Sequence, residues 1–111
     1  MASITHVVLF QFKDGVSPDV VQTTCASLLA LKENCLHPLT QRPYILSLKG
    51  GRDNSPEGLQ GGLTHGFVAE FATVEDRAYY LEKDPAHLGF IADVQGLVVK
   101  AVVLDFADGV F

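Results

Sequence analysis

Ile4-Thr5-His6-Val7-Val8-Leu9-Phe10-Gln11-Phe12 alternates with a period of two, and that alternation decides the fold. Ile4, His6, Val8, Phe10 and Phe12 share one face, and Thr5, Val7, Leu9 and Gln11 share the other. Large apolar side chains stand on both faces, so the strand is expected to be covered on both sides. Leu97 to Phe106 reads the same way, with Val98, Val102, Leu104 and Phe106 set against Val99, Ala101 and Val103.

Between these two strands, Ser17-Pro18-Asp19 reads as a helix start, Ser17 as N-cap and Pro18 at the first helical position. Val20, Thr24, Leu28, Leu31 and Cys35 follow at helical spacing until His37-Pro38 ends the run. Tyr44 to Lys49 suits a second strand. Gly50 to Gly62 is a Gly-rich loop, long for a hairpin connection, and loops of that length are often functional or mobile. A third strand runs from about Thr64 to Ala72, with His65, Phe67, Ala69 and Phe71 on one face and Gly66, Val68 and Glu70 on the other. Thr73-x-x-Asp76 resembles a capping box opening a helix through about Lys83, and Asp84-Pro85 caps a shorter helix to about Val94. The order β-α-β-β-α-(α)-β is that of a ferredoxin-like α+β fold, a βαββαβ chain with a four-stranded antiparallel sheet and helices on one face. A single copy would then expose an apolar patch larger than soluble monomers tolerate. A homodimer that packs sheet on sheet, a dimeric α/β barrel, covers it.

The 111 residues are one domain's worth, so residues 1–111 are read as a single domain. With 48% hydrophobic and 19% charged residues there is ample material for a core. The net charge of −5 and eight scattered Lys and Arg offer no footprint for a phosphate backbone or an anionic membrane, so no nucleic acid and no membrane is expected as a partner. His6, Gln11 and Lys13 interrupt the N-terminal apolar run, which therefore reads as neither a secretory signal nor a membrane span. Cys25 and Cys35 lie ten residues apart on one helix, roughly 15 Å along its axis, too far for a disulfide. Reduced thiols point to a cytoplasmic location.

His6-Val7-Val8-Leu9-Phe10-Gln11-Phe12-Lys13, Thr64-His65 and Asp84-Pro85-Ala86-His87-Leu88-Gly89-Phe90 resemble, in order, signatures of the stress-responsive A/B barrel (Dabb) family. The resemblance covers nearly the whole chain and implies dimers whose two sheets close into a barrel. It extends to a plant polyketide cyclase of this architecture, olivetolic acid cyclase, and to plant hydroxynitrile lyases. The cyclase likeness implies a catalytic pair, Tyr80 and His87, in a pocket between helices and sheet, with His6 and His65 as two further pocket histidines. Thr24, Cys25 and Leu28 stand where the cyclase has aromatic pocket residues, and an extra residue near Lys83 separates Tyr80 from Pro85, so the pocket differs in shape.

On the residues alone, His6 or His65 taken singly reads first as a core-edge histidine, and Tyr80 equally as amphipathic packing or as a site residue. Two histidines at strand starts, with His87 after a Pro-capped turn, point toward a shared site. As a shared site, a desolvated imidazole stays neutral and serves as general base near pH 7, with the Tyr80 hydroxyl facing a carbonyl oxygen as charge builds. Val8, Phe67 and Phe90 are the expected apolar substrate contacts. No cofactor is expected, and no metal, since neither H-x-H nor H-E-x-x-H occurs and the glycines lack the G-K-[ST] ending of a phosphate cradle. Cys25, buried in mid-helix, is expected to be inert. Two functions stay open: a cofactor-independent cyclase or lyase acting on a small aromatic or polyketide-like carbonyl compound, and a non-enzymatic stress-response or accessory homodimer. A cavity of about 300 Å³ or more lined by Phe67, Tyr80, His87 and Phe90 favours the first, and a gap filled by side chains favours the second.

Overall fold

The computed structural model describes residues 3–111 as β1 (Ile4–Phe12), α1 (Pro18–Asn34), β2 (Ile45–Arg52), β3 (His65–Phe71), α2 (Val74–Glu82), α3 (Pro85–Val94) and β4 (Val98–Ala107). Each helix starts where a side-chain oxygen takes up an amide that has no partner inside the helix. Ser17 Oγ accepts from Val20 N–H at 3.2 Å, Thr73 Oγ1 from Asp76 N–H at 3.1 Å and Asp84 Oδ1 from Ala86 N–H at 2.9 Å. Pro18 and Pro85 fill first-turn positions where no N–H is needed.

The strands pair antiparallel in the order β2-β3-β1-β4. Ile4 lies opposite Phe71, His6 opposite Ala69, Val8 opposite Phe67 and Phe10 opposite His65, so the faces read from alternation stand as expected. All three helices pack on that side. Leu28 and Leu31 of α1, Tyr80 of α2 and Phe90 and Val94 of α3 form one core with Phe10, Phe67, Ala69 and Phe71. None of these helices is long and apolar enough to cross a membrane, among the described residues.

Two expectations need correction. The register of β1 against β4 shifts between Gln11 and Phe12, a β-bulge that turns Val98 toward the core and away from Val102, its expected face-mate. The second strand also runs on through Gly50, Gly51 and Arg52, which pair with Phe67, Gly66 and His65. Phe67 explains this extension. Its ring lies where a Gly50 Cβ would stand, 2.2 Å from Cδ1, so a backbone without a side chain is what lets β2 pair there. The connection proper begins at Asp53, whose carboxylate accepts from Ser55 N–H at 3.1 Å and Gln60 Nε2 at 2.7 Å.

The opposite side of the sheet carries Val7 and Leu9 of β1, Val68 of β3 and Val102, Leu104 and Phe106 of β4, with Val68 and Leu104 flanking Val7 in one row. Leu104 is 63% exposed and Phe106 44%.

Candidate functional site

Tyr80, near the end of α2, is followed by the Asp84 cap and by His87 in the first turn of α3, which folds the two rings together. Their centroids stand 3.7 Å apart with planes 22° off parallel, and both are buried. His87 Nδ1 donates to the Tyr80 backbone carbonyl at 2.7 Å. A carbonyl only accepts, so the hydrogen resides on Nδ1 and the neutral ring keeps its lone pair on Nε2. Burial pushes the His87 pKa down and nearby His6 pushes the same way, against the backbone bond and Asp84. Burial, reinforced by Cys35 and Asp84, pushes the Tyr80 phenol up, so it stays protonated. Among the described residues no enclosed side-chain nitrogen or oxygen lacks a partner.

His6 joins the pair from the sheet, its ring edge-on to Tyr80 at 5.9 Å. Its Nδ1 donates to Asp105 Oδ1 at 2.6 Å, and Arg77 Nη1 donates to Asp105 Oδ2 at 3.2 Å. A second buried group adjoins these rings. The Tyr44 hydroxyl donates to Asp84 Oδ2 at 2.5 Å, and the Cys35 thiol beside them is pushed up to about 12, first by burial and then by Asp84. Sequence reading placed Asp84 only as a cap and did not single out Asp105, Arg77 or Tyr44 for the site.

The other expected site residues lie elsewhere. His65 is opposite Phe10 on β1, four residues from His6, about 13 Å along the sheet. Its Nδ1 meets Thr64 Oγ1 at 2.8 Å, its ring is edge-on to Phe12 at 5.1 Å, and burial, then Arg52, lowers its pKa. With Phe12, Cys25, Leu29, Arg52 and Phe67 it lines an open cleft of about 730 Å³ between α1 and the sheet. Phe90 belongs to the core and borders a separate groove of about 350 Å³ with Pro85 and Asp93. Val8 packs half-buried against that core. The single cavity expected from Phe67, Tyr80, His87 and Phe90 is thus not one space: the cleft and the groove each take one of these phenylalanines, and neither is lined by Tyr80 or His87. The cleft follows the Pro18, Gln22, Cys25 and Leu29 side of α1 and the groove its Ser27, Ala30 and Asn34 side. Helix α1, with Leu28 and Leu31 buried in the core, therefore stands between them, while Phe67, 2% exposed, lines only the cleft. The Cys25 thiol, on the cleft wall, is pushed up by burial, as its place on the helix implied. No three His, Cys, Asp or Glu side chains among the described residues gather as a metal would require.

An antiparallel β2-β3-β1-β4 sheet with three helices on one face, enclosing a stacked Tyr–His pair, defines a ferredoxin-like α+β protein. The chain belongs to the stress-responsive A/B barrel domain (Dabb) family, whose model matches residues 4–108. It is similar to the stress-response A/B barrel domain-containing protein HS1 of Arabidopsis thaliana, with 33% identity over 103 residues, 93% of this chain and 87% of the relative. The fold is shared with a hydroxynitrile lyase from Passiflora edulis, 23% identical, at a TM-score of 0.82 over 99% of this chain and 97% of that one. A dimeric ferredoxin-like protein of unknown function from Thermobifida fusca shares it too, 24% identical, at a TM-score of 0.74 over 96% and 91% of the two chains.

Proposed function

We propose that this chain is a single Dabb domain that works as a cytoplasmic homodimer and catalyses a cofactor-independent lyase or aldol-type cyclisation step on a small aromatic or polyketide-like carbonyl compound. The observation that carries the reading is the His87 Nδ1 bond to the Tyr80 carbonyl, which leaves a neutral ring with a basic Nε2. In this reading Nε2 takes a proton from the substrate, and the Tyr80 hydroxyl donates to the oxygen on which negative charge develops. His6, held by Asp105 and Arg77, is a pocket residue beside them, and His65 with Phe67 receives the substrate at the cleft. The lyase that shares this fold supports the reaction class. The apolar open face of the sheet and the dimeric Thermobifida fusca relative support the homodimer.

The test is turnover of a panel of cyanohydrins and linear polyketide mimics. Wild type is expected to convert one of them, and His87→Ala to lose on the order of 10²–10⁴ in kcat, the usual worth of a general base. Unchanged turnover in His87→Ala removes that residue from the mechanism. That neither the cleft nor the groove is lined by Tyr80 or His87 favours a second reading, an accessory homodimer without catalysis. Crystals soaked with aromatic fragments separate the two: a fragment against His87 favours the enzyme, and none at this site favours the accessory protein.

A further inference from the structure

On the helix side of the sheet, β1 and β3 present three successive cross-strand pairs: Phe10 with His65, Val8 with Phe67, and His6 with Ala69. The first pair borders the open cleft through His65. The third carries His6, which touches Tyr80, which in turn stacks on His87. Phe67 occupies the middle pair. One side of it lines the cleft, and it is part of the same core as Tyr80 and Phe90. Its ring rests on Gly50, the one place on β2 where a Cβ would collide with it at 2.2 Å, and meets Phe10 at a centroid distance of 5.9 Å. Beyond the ring the sheet offers only the methyl of Ala69 next to the His6 imidazole, so of the β3 side chains Phe67 supplies the bulk between cleft and pair, with Leu28 and Leu31 of α1 in the same core.

We infer that Phe67 is the partition that decides which ligands reach the Tyr80–His87 pair, a specificity-determining residue set between an outer cleft and an inner reactive compartment. A ligand seated in the cleft meets the ring one cross-strand pair short of His6, and only a ligand that can pass beside the ring reaches the pair. Shortening the side chain joins the two spaces and lengthens the ligand that fits. The inference rests on the assignment of His87 as the reactive group, but its test reads chemical access and not turnover.

The experiment is modification with diethyl pyrocarbonate, with each histidine followed by peptide mass spectrometry in wild type, Phe67→Leu, Phe67→Ala and Val94→Ala. The last variant trims a core side chain outside the three pairs. His37, half-buried and remote from the cleft, and His65, at the cleft, serve as internal references. In Phe67→Ala the modification rate of His87 is expected to rise by about tenfold or more, with a smaller rise in Phe67→Leu and no change at His37, because the cavity opens locally and leaves the remaining structure closed. His87 rates that match wild type in both Phe67 variants, or an equal rise in Val94→Ala, overturn the partition. If Phe67→Ala does not fold, Phe67→Leu against Val94→Ala decides alone. Full turnover by His87→Ala, by contrast, would strike at the proposed function and leave the access result standing.

Discussion

His87 is kept neutral mainly by where it sits. Removal from water penalises the imidazolium, His6 adds to the penalty, and the Nδ1 bond and Asp84 only partly offset it. A histidine whose folded pKa lies below its unfolded value of about 6.5 contributes stability that is fully present above that value. As the pH falls below it, the unfolded chain takes up a proton that the folded chain refuses, and the contribution is lost as the pH nears the depressed value. His65 shifts the same way. Urea unfolding compared at about pH 7.5 and about pH 5.5 should therefore show wild type losing stability on acidification, and His87→Gln losing less of it. Equal slopes would mean that His87 titrates in the folded protein as it does in the unfolded one. The members of this site were unequally legible in the sequence. His6, Tyr80 and His87 came through family resemblance, and their assembly is what the structure adds. Asp105 was passed over because it meets His6 from 99 residues away, and Tyr44 because it reaches Asp84 across 40. No local pattern carries a contact of that span.

At the scale of elements, β2 and β3 are fitted to each other by one missing side chain. A methyl at Gly50 would stand 2.2 Å from Phe67 Cδ1 and 2.7 Å from the Gly66 carbonyl oxygen, so either the ring or the strand must shift. Gly50→Ala is expected to cost about 1–3 kcal/mol in chemical denaturation, the usual range for overpacking. Phe67→Leu in the same chain should return part of that cost, and a strictly additive double variant would show that the two positions do not oppose each other. This fit also explains why the sequence implies a loop where the structure continues β2. Gly50-Gly51 carries a turn composition, and the reason for the glycines is a ring on the neighbouring strand. Strand alternation was legible because β1 and β3 keep a period of two throughout. It misassigned Val98 only where the bulge beside Phe12 inserts a residue and reverses the face. Helix starts were the most legible feature. Ser17, Thr73 and Asp84 act within three residues of themselves, and each caps as its position implied.

For the whole molecule, the three helices cover much of one side of the sheet, leaving Val103 of β4 exposed there, and a row of apolar side chains stands on the other side. Val7 lies between Val68 and Leu104, Leu9 is paired with Val102, and Phe106 continues the surface along β4. Polar side chains, Gln11, Glu70 and Lys100 among them, stand on the same face. Apolar centre and polar margin are the arrangement of a surface that meets another protein, and a second copy of the chain offers the same apolar row in return. Leu104 discriminates between a dimer contact and a monomer contact because it is 63% exposed in the single chain, where its replacement disturbs little packing. In a sheet-to-sheet dimer the same position is enclosed, and a carboxylate there would be desolvated without a partner. Leu104→Asp is therefore expected to weaken self-association by on the order of 10²-fold or more while the circular dichroism of the fold persists. Leu39→Asp, at a position 87% exposed and outside the sheet, should leave the dimer intact. Light scattering coupled to size exclusion measures both. A Leu104→Asp protein that remains dimeric at micromolar concentration would move the interface to another surface, and with it the explanation of why β1 and β4 are apolar on both faces.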